Sequence, residues 1–276
     1  MKYSELKEIL KEEDITDFAV INKKDFPIFG EITKELPKEL NYIKRPERKN
    51  PAIIYPLAKS ILICVYQYWD NDKNYEEEFK KLTDIKEYIK KRTPNWENIE
   101  KKLKNGFKIS RYVLVEEYHK KIKEDLRKII AKLKEKRKDI DGKIFVDTSP
   151  IFEKKLAETA GLGFIGKNTL LISPIYGSYL FIGGIILNEE FENIPEIKEK
   201  NEKICDSCRI CEESCPTKAL YNGSLEPEKC ISFWTTHTKR EIPESILSAS
   251  NYMLGCDICQ EFCPYNKTAK KGKSIF

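Results

Sequence analysis

Eight of the nine cysteines in this 276-residue chain fall between positions 205 and 263, and their spacing constrains the fold more than any other feature. The first set is Cys205-x2-Cys208-x2-Cys211-x3-Cys215-Pro216. The second is Cys256-x2-Cys259-x3-Cys263-Pro264, with Cys230 alone between them. A tetrathiolate site needs four sulfurs converging on one centre; closely spaced cysteines on a tight loop supply three, and the fourth comes from elsewhere. In two-cluster iron–sulfur proteins the cysteine just before the proline ligates the other cluster. That crossing assigns Cys205, Cys208, Cys211 and Cys263 to one [4Fe–4S] cluster. Cys215, Cys230, Cys256 and Cys259 form the second set, and none of the eight is left over.

Structural zinc and disulfides are the competing uses. Zinc sites do not call for a third cysteine at the next x2 step or for a terminal Cys-Pro. No basic-then-apolar leader occupies residues 1–20, so disulfides are not expected and the expected location is the cytoplasm. Cys64, within the apolar run Ile61–Tyr66, reads as a small buried hydrophobe.

The formal net charge is +5, and each oxidised cluster with its thiolates contributes roughly −2. A loaded protein is therefore close to neutral, and a global attraction to nucleic acid is not implied. Any such binding would need a local patch, for instance the tail lysines Lys267, Lys270, Lys271 and Lys273. The stretch Asn168–Asn188 carries no charge and is long enough to span a bilayer. Pro174, Gly177, Gly183 and Gly184 interrupt it, however. Two buried strands, Thr169–Ile172 and Tyr179–Leu187, joined by a turn fit better, and no membrane association is expected.

Periodicity places a helix at Ser4–Glu13, a strand near Phe18–Ile21, and a helical turn running into a buried strand over Pro51–Tyr68. Charged helices are expected at Tyr75–Lys91 and Trp96–Lys104. The clearest stripe is Val115, Tyr118, Ile122, Leu126, Ile129 and Leu133, which predicts one helix over Ser110–Arg137 capped by Ser110. A strand at Lys143–Asp147 and a helix at Ile151–Ala160 ended by Gly161 follow. Glu189–Lys203 is charged and unpatterned and reads as a linker. Gly161-Leu-Gly163-Phe-Ile-Gly166 matches a dinucleotide fingerprint literally, yet a helix precedes it and a strand follows, the reverse of what that site requires. These glycines are read as a tight loop presenting Lys167 and Asn168.

Several motifs occur together in order: Arg45-Pro-Glu-Arg48 with Ala58-Lys-Ser60; Ser110-Arg-Tyr112 with Glu117-Tyr-His119; Val146-Asp147-Thr-Ser-Pro150 with Glu153; Ala160 through Lys167-Asn168-Thr169; Cys230-Ile-Ser232; and Tyr252 through Cys256-Asp-Ile-Cys259-Gln. In this the chain resembles the epoxyqueuosine reductase family over most of its length. The resemblance implies an α+β protein: an N-terminal α/β domain, residues 1–198, binding base-off cobalamin, and a ferredoxin-like module, residues 199–276, with two [4Fe–4S] clusters. It implies reduction of the epoxide of epoxyqueuosine at the tRNA wobble position, the clusters feeding electrons to cobalt. Asp147 matches the family's proton donor, and an N-cap of the following helix is its alternative use. Among expected cobalamin contacts are Arg111, Tyr112, His119, Lys167, Asn168, Thr169, Ser232 and Thr235. The implied partners are a tRNA anticodon stem-loop and a donor such as flavodoxin or ferredoxin, with a monomeric protein.

Three positions depart from the family pattern. His237-Thr-Lys239-Arg240 stands for the usual Glu-x-Lys-Gly, Glu117 for a common Asp, and Lys154 for an Arg. The chain also stops soon after Cys263, where many relatives continue into a helical-repeat domain. Two other functions stay open: a related corrinoid iron–sulfur reductase acting on a small molecule, and a two-cluster electron carrier without a catalytic site. The roughly 200 residues ahead of the clusters exceed what a carrier needs.

Overall fold

The computed structural model describes every residue except 31–33, 82–86, 88–89, 92–106, 116, 198–203 and 274–276. Its centre is a four-stranded sheet of β1 (Asp17–Asn22), β2 (Ser60–Gln67), β4 (Gly142–Val146) and β7 (Leu180–Leu187), in the order β1-β2-β7-β4. A short β3 (Lys108–Ile109) and a hairpin of β5 (Phe164–Ile165) and β6 (Leu171–Ile172) lie outside it. Every pairing in the central sheet is antiparallel. The N-terminal part is thus itself α+β, and the expected α/β label is corrected: no parallel βαβ unit builds this sheet.

Both faces of the sheet are covered, which is why β2 is buried along its whole length. On one face lie α1 (Tyr3–Lys11) and the long helix Tyr118–Lys136, whose Ile122, Leu126, Ile129 and Leu133 meet Leu62, Val146 and Ile185. On the other lies the helix Glu153–Thr159, placing Leu156 and Ala157 against Ile61, Ile63 and Ile186. Gly183 and Gly184 permit this closeness. A Cβ on Gly183 would stand 2.8 Å from Ile122, and one on Gly184 would stand 2.3 Å from the Leu62 carbonyl.

The cysteine region is threaded through this scaffold. Leu40 and Phe107 pack with Ile231, Phe233, Trp234 and Met253. Strand β3 pairs in parallel with Tyr252–Leu254. Returning along the end of β2, the chain bonds Gln67 Nε2 to the Lys270 carbonyl at 2.9 Å and Gly272 N–H to Gln67 Oε1 at 2.7 Å.

Most expected elements are present within a few residues, and the exceptions are informative. The helix expected to start at Ser110 starts at Tyr118. Ser110 instead donates its hydroxyl to Asp257, a residue far along the chain, and residues 108–114 become a strand and a 3-10 turn. Glu117, at φ 51°, breaks the path. Thr169–Ile172 and Tyr179–Leu187 do not neighbour each other: Leu171–Ile172 pairs with β5, whereas β7 sits between β2 and β4. The supposed linker begins as packed structure, since Phe191 is buried and its backbone exchanges two bonds with Asn22. Residues 198–203 of the linker, the boundary at 198/199, the helix at Trp96–Lys104, and residues 82–86 and 88–89 of the helix expected at Tyr75–Lys91 lie outside the described residues; Tyr75–Lys80 is helical. Among the described residues no helix is long and apolar enough to cross a membrane.

Candidate active site

Cys205, Cys208, Cys211 and Cys263 line one small cavity, together with Lys167, Asn168, Ile172 and Tyr265. Lys167 closes it: its backbone N–H donates to Cys205 Sγ at 3.3 Å, and its Nζ reaches the Asp206 and Cys208 carbonyls at 2.9 and 3.0 Å. Cys263 sits at the N-cap of the turn Pro264–Lys267, where the N–H groups of Tyr265 and Asn266 point at its sulfur. Burial, then the neighbouring Cys205, push the Cys211 thiol up to about 11. Amide donors around clustered sulfurs suit thiolates bound to iron, which is how such clusters are held and tuned.

Cys215, Cys230, Cys256 and Cys259 converge on the wall of a second, larger cavity of about 490 Å³. Ala219 N–H donates to Cys215 Sγ at 3.3 Å. Cys230 stands at the N-cap position of the helix Ile231–Thr236, where the nearby backbone of Phe233 and Ser232 favours its thiolate, as the backbone of Ile258 does for Cys256. Among the described residues no three His, Cys, Asp or Glu side chains are close enough to share a single metal ion. The two sulfur sets frame cavities instead, the setting that a cluster requires. Cys64 is fully buried in β2, far from both sets in the chain.

The larger cavity is also walled by Tyr68, Tyr112, Tyr118, Leu180 and Phe181, with the basic side chains of Lys154 and His237. Asn168 lies between the two cavities and lines both. Its side chain is buried, its Oδ1 accepts from Leu170, and its Nδ2 has no partner. A buried amide donor left unpaired is costly unless a ligand meets it.

Asp147 stands beside this cavity rather than in its wall. It follows β4 at φ 48°, and the next helix starts at Glu153 with Phe152 at its N-cap, so Asp147 is not a cap. Tyr118, which does line the cavity, donates its phenol to Asp147 Oδ2 at 3.1 Å. His119 Nε2 lies 3.4 Å from the same oxygen, with its ring stacked on Tyr118. Burial lowers both histidine pKa values, and the Asp147 charge opposes the shift in each. Burial, then Asp147, push the Glu153 carboxyl up to about 8.

The eight expected cofactor contacts separate by position. Tyr112, Asn168, Thr169 and Ser232 line the large cavity. His119 lines an adjoining one that shares Tyr112 and Tyr118 with it. Arg111, Lys167 and Thr235 lie elsewhere. Arg111 pairs with Asp257 and Glu261 at 3.2 and 2.9 Å; Lys167 belongs to the first sulfur cavity; Thr235 is buried, accepting from Gly255 N–H at 3.0 Å. Sequence reasoning gave no site role to Tyr118, Lys154, Glu153 or Arg48. Tyr118 was absorbed into the core stripe, and the other three lay in or beside quoted motifs without a reason to choose them.

Residues 48–148 match the family described as Epoxyqueuosine reductase QueG, DUF1730, and residues 204–266 match a 4Fe-4S double cluster binding domain. The chain is similar to the epoxyqueuosine reductases along this stretch. The epoxyqueuosine reductase of Cyclobacterium marinum is 36% identical over 174 residues, 62% of this chain and 54% of that one. The chain thus spans about half the length of the curated relative. An epoxyqueuosine reductase crystallised with an epoxyqueuosine-modified tRNA stem loop superposes with TM-score 0.66 at 28% identity, covering 99% of this chain and 66% of the other. The enzyme from Bacillus subtilis, in a structure with its catalytic aspartate loop swung out of the active site, gives TM-score 0.64 at 26% identity, with the same coverage. A catabolic reductive dehalogenase shares the fold, with TM-score 0.52 at 12% identity, over 95% of this chain and 30% of its own.

Proposed function

We propose that the protein reduces epoxyqueuosine in tRNA to queuosine, using cobalamin held between residues of the N-terminal part and the second cluster. One arrangement carries this reading: the second sulfur set and the residue that holds Asp147, Tyr118, line the same cavity. An electron source and an acid thereby flank one space. The reaction is balanced by two electrons and two protons: both C–O bonds of the epoxide break, an alkene forms, and the oxygen leaves as water.

The cavity suits a corrin. Its walls are largely aromatic and aliphatic, and the orphaned Asn168 Nδ2 offers a donor to a peripheral amide. Cobalamin, when bound, would supply a strongly reducing cobalt centre. Tyr112, Asn168, Thr169 and Ser232 would hold it. Asp147 would give a proton to the departing oxygen, with Tyr118 and His119 fixing its carboxylate. We assign residues 1–198 to cobalamin and substrate, and 199–276 to the clusters. The partners are a tRNA anticodon stem-loop and a low-potential carrier such as flavodoxin or ferredoxin, and the protein works as a cytoplasmic monomer.

Anaerobically purified protein, loaded with iron, sulfide and cobalamin, should convert an epoxyqueuosine-bearing stem loop to queuosine. The shared fold with a reductive dehalogenase motivates the alternative of a small-molecule reductase, so organohalides belong in the same assay. Turnover of organohalides without turnover of the stem loop would overturn the proposal. Absence of a bound corrinoid spectrum would favour a bare electron carrier.

A further inference from the structure

The glycines at 161, 163 and 166 lead into a tight loop, and its neighbours impose the tightness. A Cβ on Gly163 would stand 2.4 Å from the Ile172 carbonyl oxygen, and one on Gly166 would stand 2.3 Å from the Ile172 side chain. Gly166 N–H donates to the Leu170 carbonyl at 2.9 Å, and Thr169 N–H donates to the Gly166 carbonyl at 2.8 Å. Lys167 therefore stands on a backbone with little freedom, at the edge of the first sulfur cavity. Its N–H meets Cys205 Sγ at 3.3 Å, while its Nζ meets the Asp206 and Cys208 carbonyls of the same ligand loop. Among the described residues that line this cavity, Lys167 bears the only formal cation. Arg209, next to Cys208, is paired with Glu212 at 3.2 Å instead.

We propose that Lys167 is a positioning residue for electron entry: its side chain fixes the Cys205–Cys208 loop, and its charge raises the reduction potential of the cluster held by Cys205, Cys208, Cys211 and Cys263. The inference rests on the crossed cluster assignment and on the proposed reductase function. With its four thiolates such a cluster carries roughly −2 when oxidised and roughly −3 after gaining one electron. A fixed positive charge beside it stabilises the more negative state. The amide bond to Cys205 Sγ acts in the same direction, because hydrogen bonds to ligand sulfur help set the potential. The loop that Lys167 holds lies at the surface, where Asp206, Ser207, Arg209 and Ile210 are exposed. The second sulfur set instead walls the cavity assigned to cobalamin. A low-potential carrier thus meets the first cluster, and Lys167 makes that cluster easier to reduce.

Redox titration of the full, cluster-loaded chain, read by electron paramagnetic resonance, tests this without substrate. The signal that Cys263→Ser removes marks the first cluster. At the parent's midpoint potential, Lys167→Met should lower the ratio of reduced to oxidised first cluster roughly tenfold, a shift of about 59 mV to more negative values for one electron. The second cluster should move far less. Lys167→Gln keeps an amide donor for the two carbonyls and gives up the charge, and should shift as far as Lys167→Met. Lys167→Arg keeps the charge and should stay near the parent. If the methionine variant loses its iron, the glutamine variant decides. An unchanged first-cluster midpoint in either iron-loaded uncharged variant overturns the proposal, as does a shift in Lys167→Arg equal to that in Lys167→Gln. Loss of first-cluster iron from both uncharged variants would reduce Lys167 to a structural brace and overturn it too. A parent protein inactive on the stem loop would overturn the function while leaving the titration result standing.

Discussion

The Arg111 guanidinium lies 3.2 Å from the carboxylate of Asp257, the residue that follows Cys256 in the second sulfur loop. Asp257 is fully buried and also accepts from the Arg111 backbone N–H at 2.6 Å. The arginine is enclosed by Trp69, Tyr75 and Tyr179. It ties the cysteine loop to the N-terminal scaffold, and it is not placed to touch a ligand in the large cavity.

Arg111→Met should therefore act as a structural lesion. Removing one member of a buried pair strands the other, at a cost of about 3–5 kcal/mol. Denaturant unfolding of the iron-loaded protein should show a loss of this order, with iron released from the second cluster first. Full stability and iron content with weakened cobalamin binding would return Arg111 to the ligand site.

The sulfur sets make a separate prediction about iron. Cys263→Ser should damage the cluster of Cys205, Cys208 and Cys211, whose cavity Cys263 shares. Cys230→Ser should damage the cluster that faces the large cavity. Electron paramagnetic resonance of the two reduced variants should lose opposite signals, and Cys64→Ala should keep the full iron count. The same signal lost in both serine variants would reject the crossed assignment.

Beneath the sheet, Asp125 accepts from the Tyr66 phenol at 2.9 Å, and burial raises its pKa to about 6. Its folded pKa exceeds its unfolded one, so the folded state holds the proton more tightly. Stability should then fall as pH rises from about 4 to 6 and level off above. Asp125→Asn keeps an acceptor for Tyr66 and should flatten that decline, raising stability at pH 7 by on the order of 1–3 kcal/mol. Denaturation curves at pH 4, 5, 6 and 7 check this; a parallel decline in both proteins would show another group at work.

Cysteine spacing and the apolar stripes were legible in the sequence because each depends on neighbours a few residues away. Ile122 through Leu133 announces a helix by its own period, and Cys205 to Cys211 declares a loop ligand set. The bonds that Ser110, Arg111 and Thr235 make were not legible, for the opposite reason. Their partners, Asp257, Glu261 and Gly255, come from distant segments. The tail lysines show the same limit. Read as a free basic patch, they prove partly engaged: Lys271 pairs with Asp72 at 3.1 Å, and Lys273 donates to the Lys11 carbonyl at 2.7 Å.

Asp147 and Tyr118 are best tested together, since one is assigned the proton and the other its placement. Positioned acids contribute about 10²–10⁴-fold in rate, and Asp147→Asn should lose turnover on that scale while still binding cobalamin and both clusters. Because Asp147 caps no helix, the variant should unfold like the parent. Tyr118→Phe removes only the phenol that orients the carboxylate, at a ring already stacked on Phe181 with centroids 4.0 Å apart. It should cost far less, and combining it with Asp147→Asn should add little, because the tyrosine would have no acid left to position. Single-turnover conversion of the stem loop by the parent, both single variants and the double variant measures this. Near-normal rates in Asp147→Asn would remove the acid role. Fully additive losses would instead give Tyr118 a task of its own in the cavity that it lines.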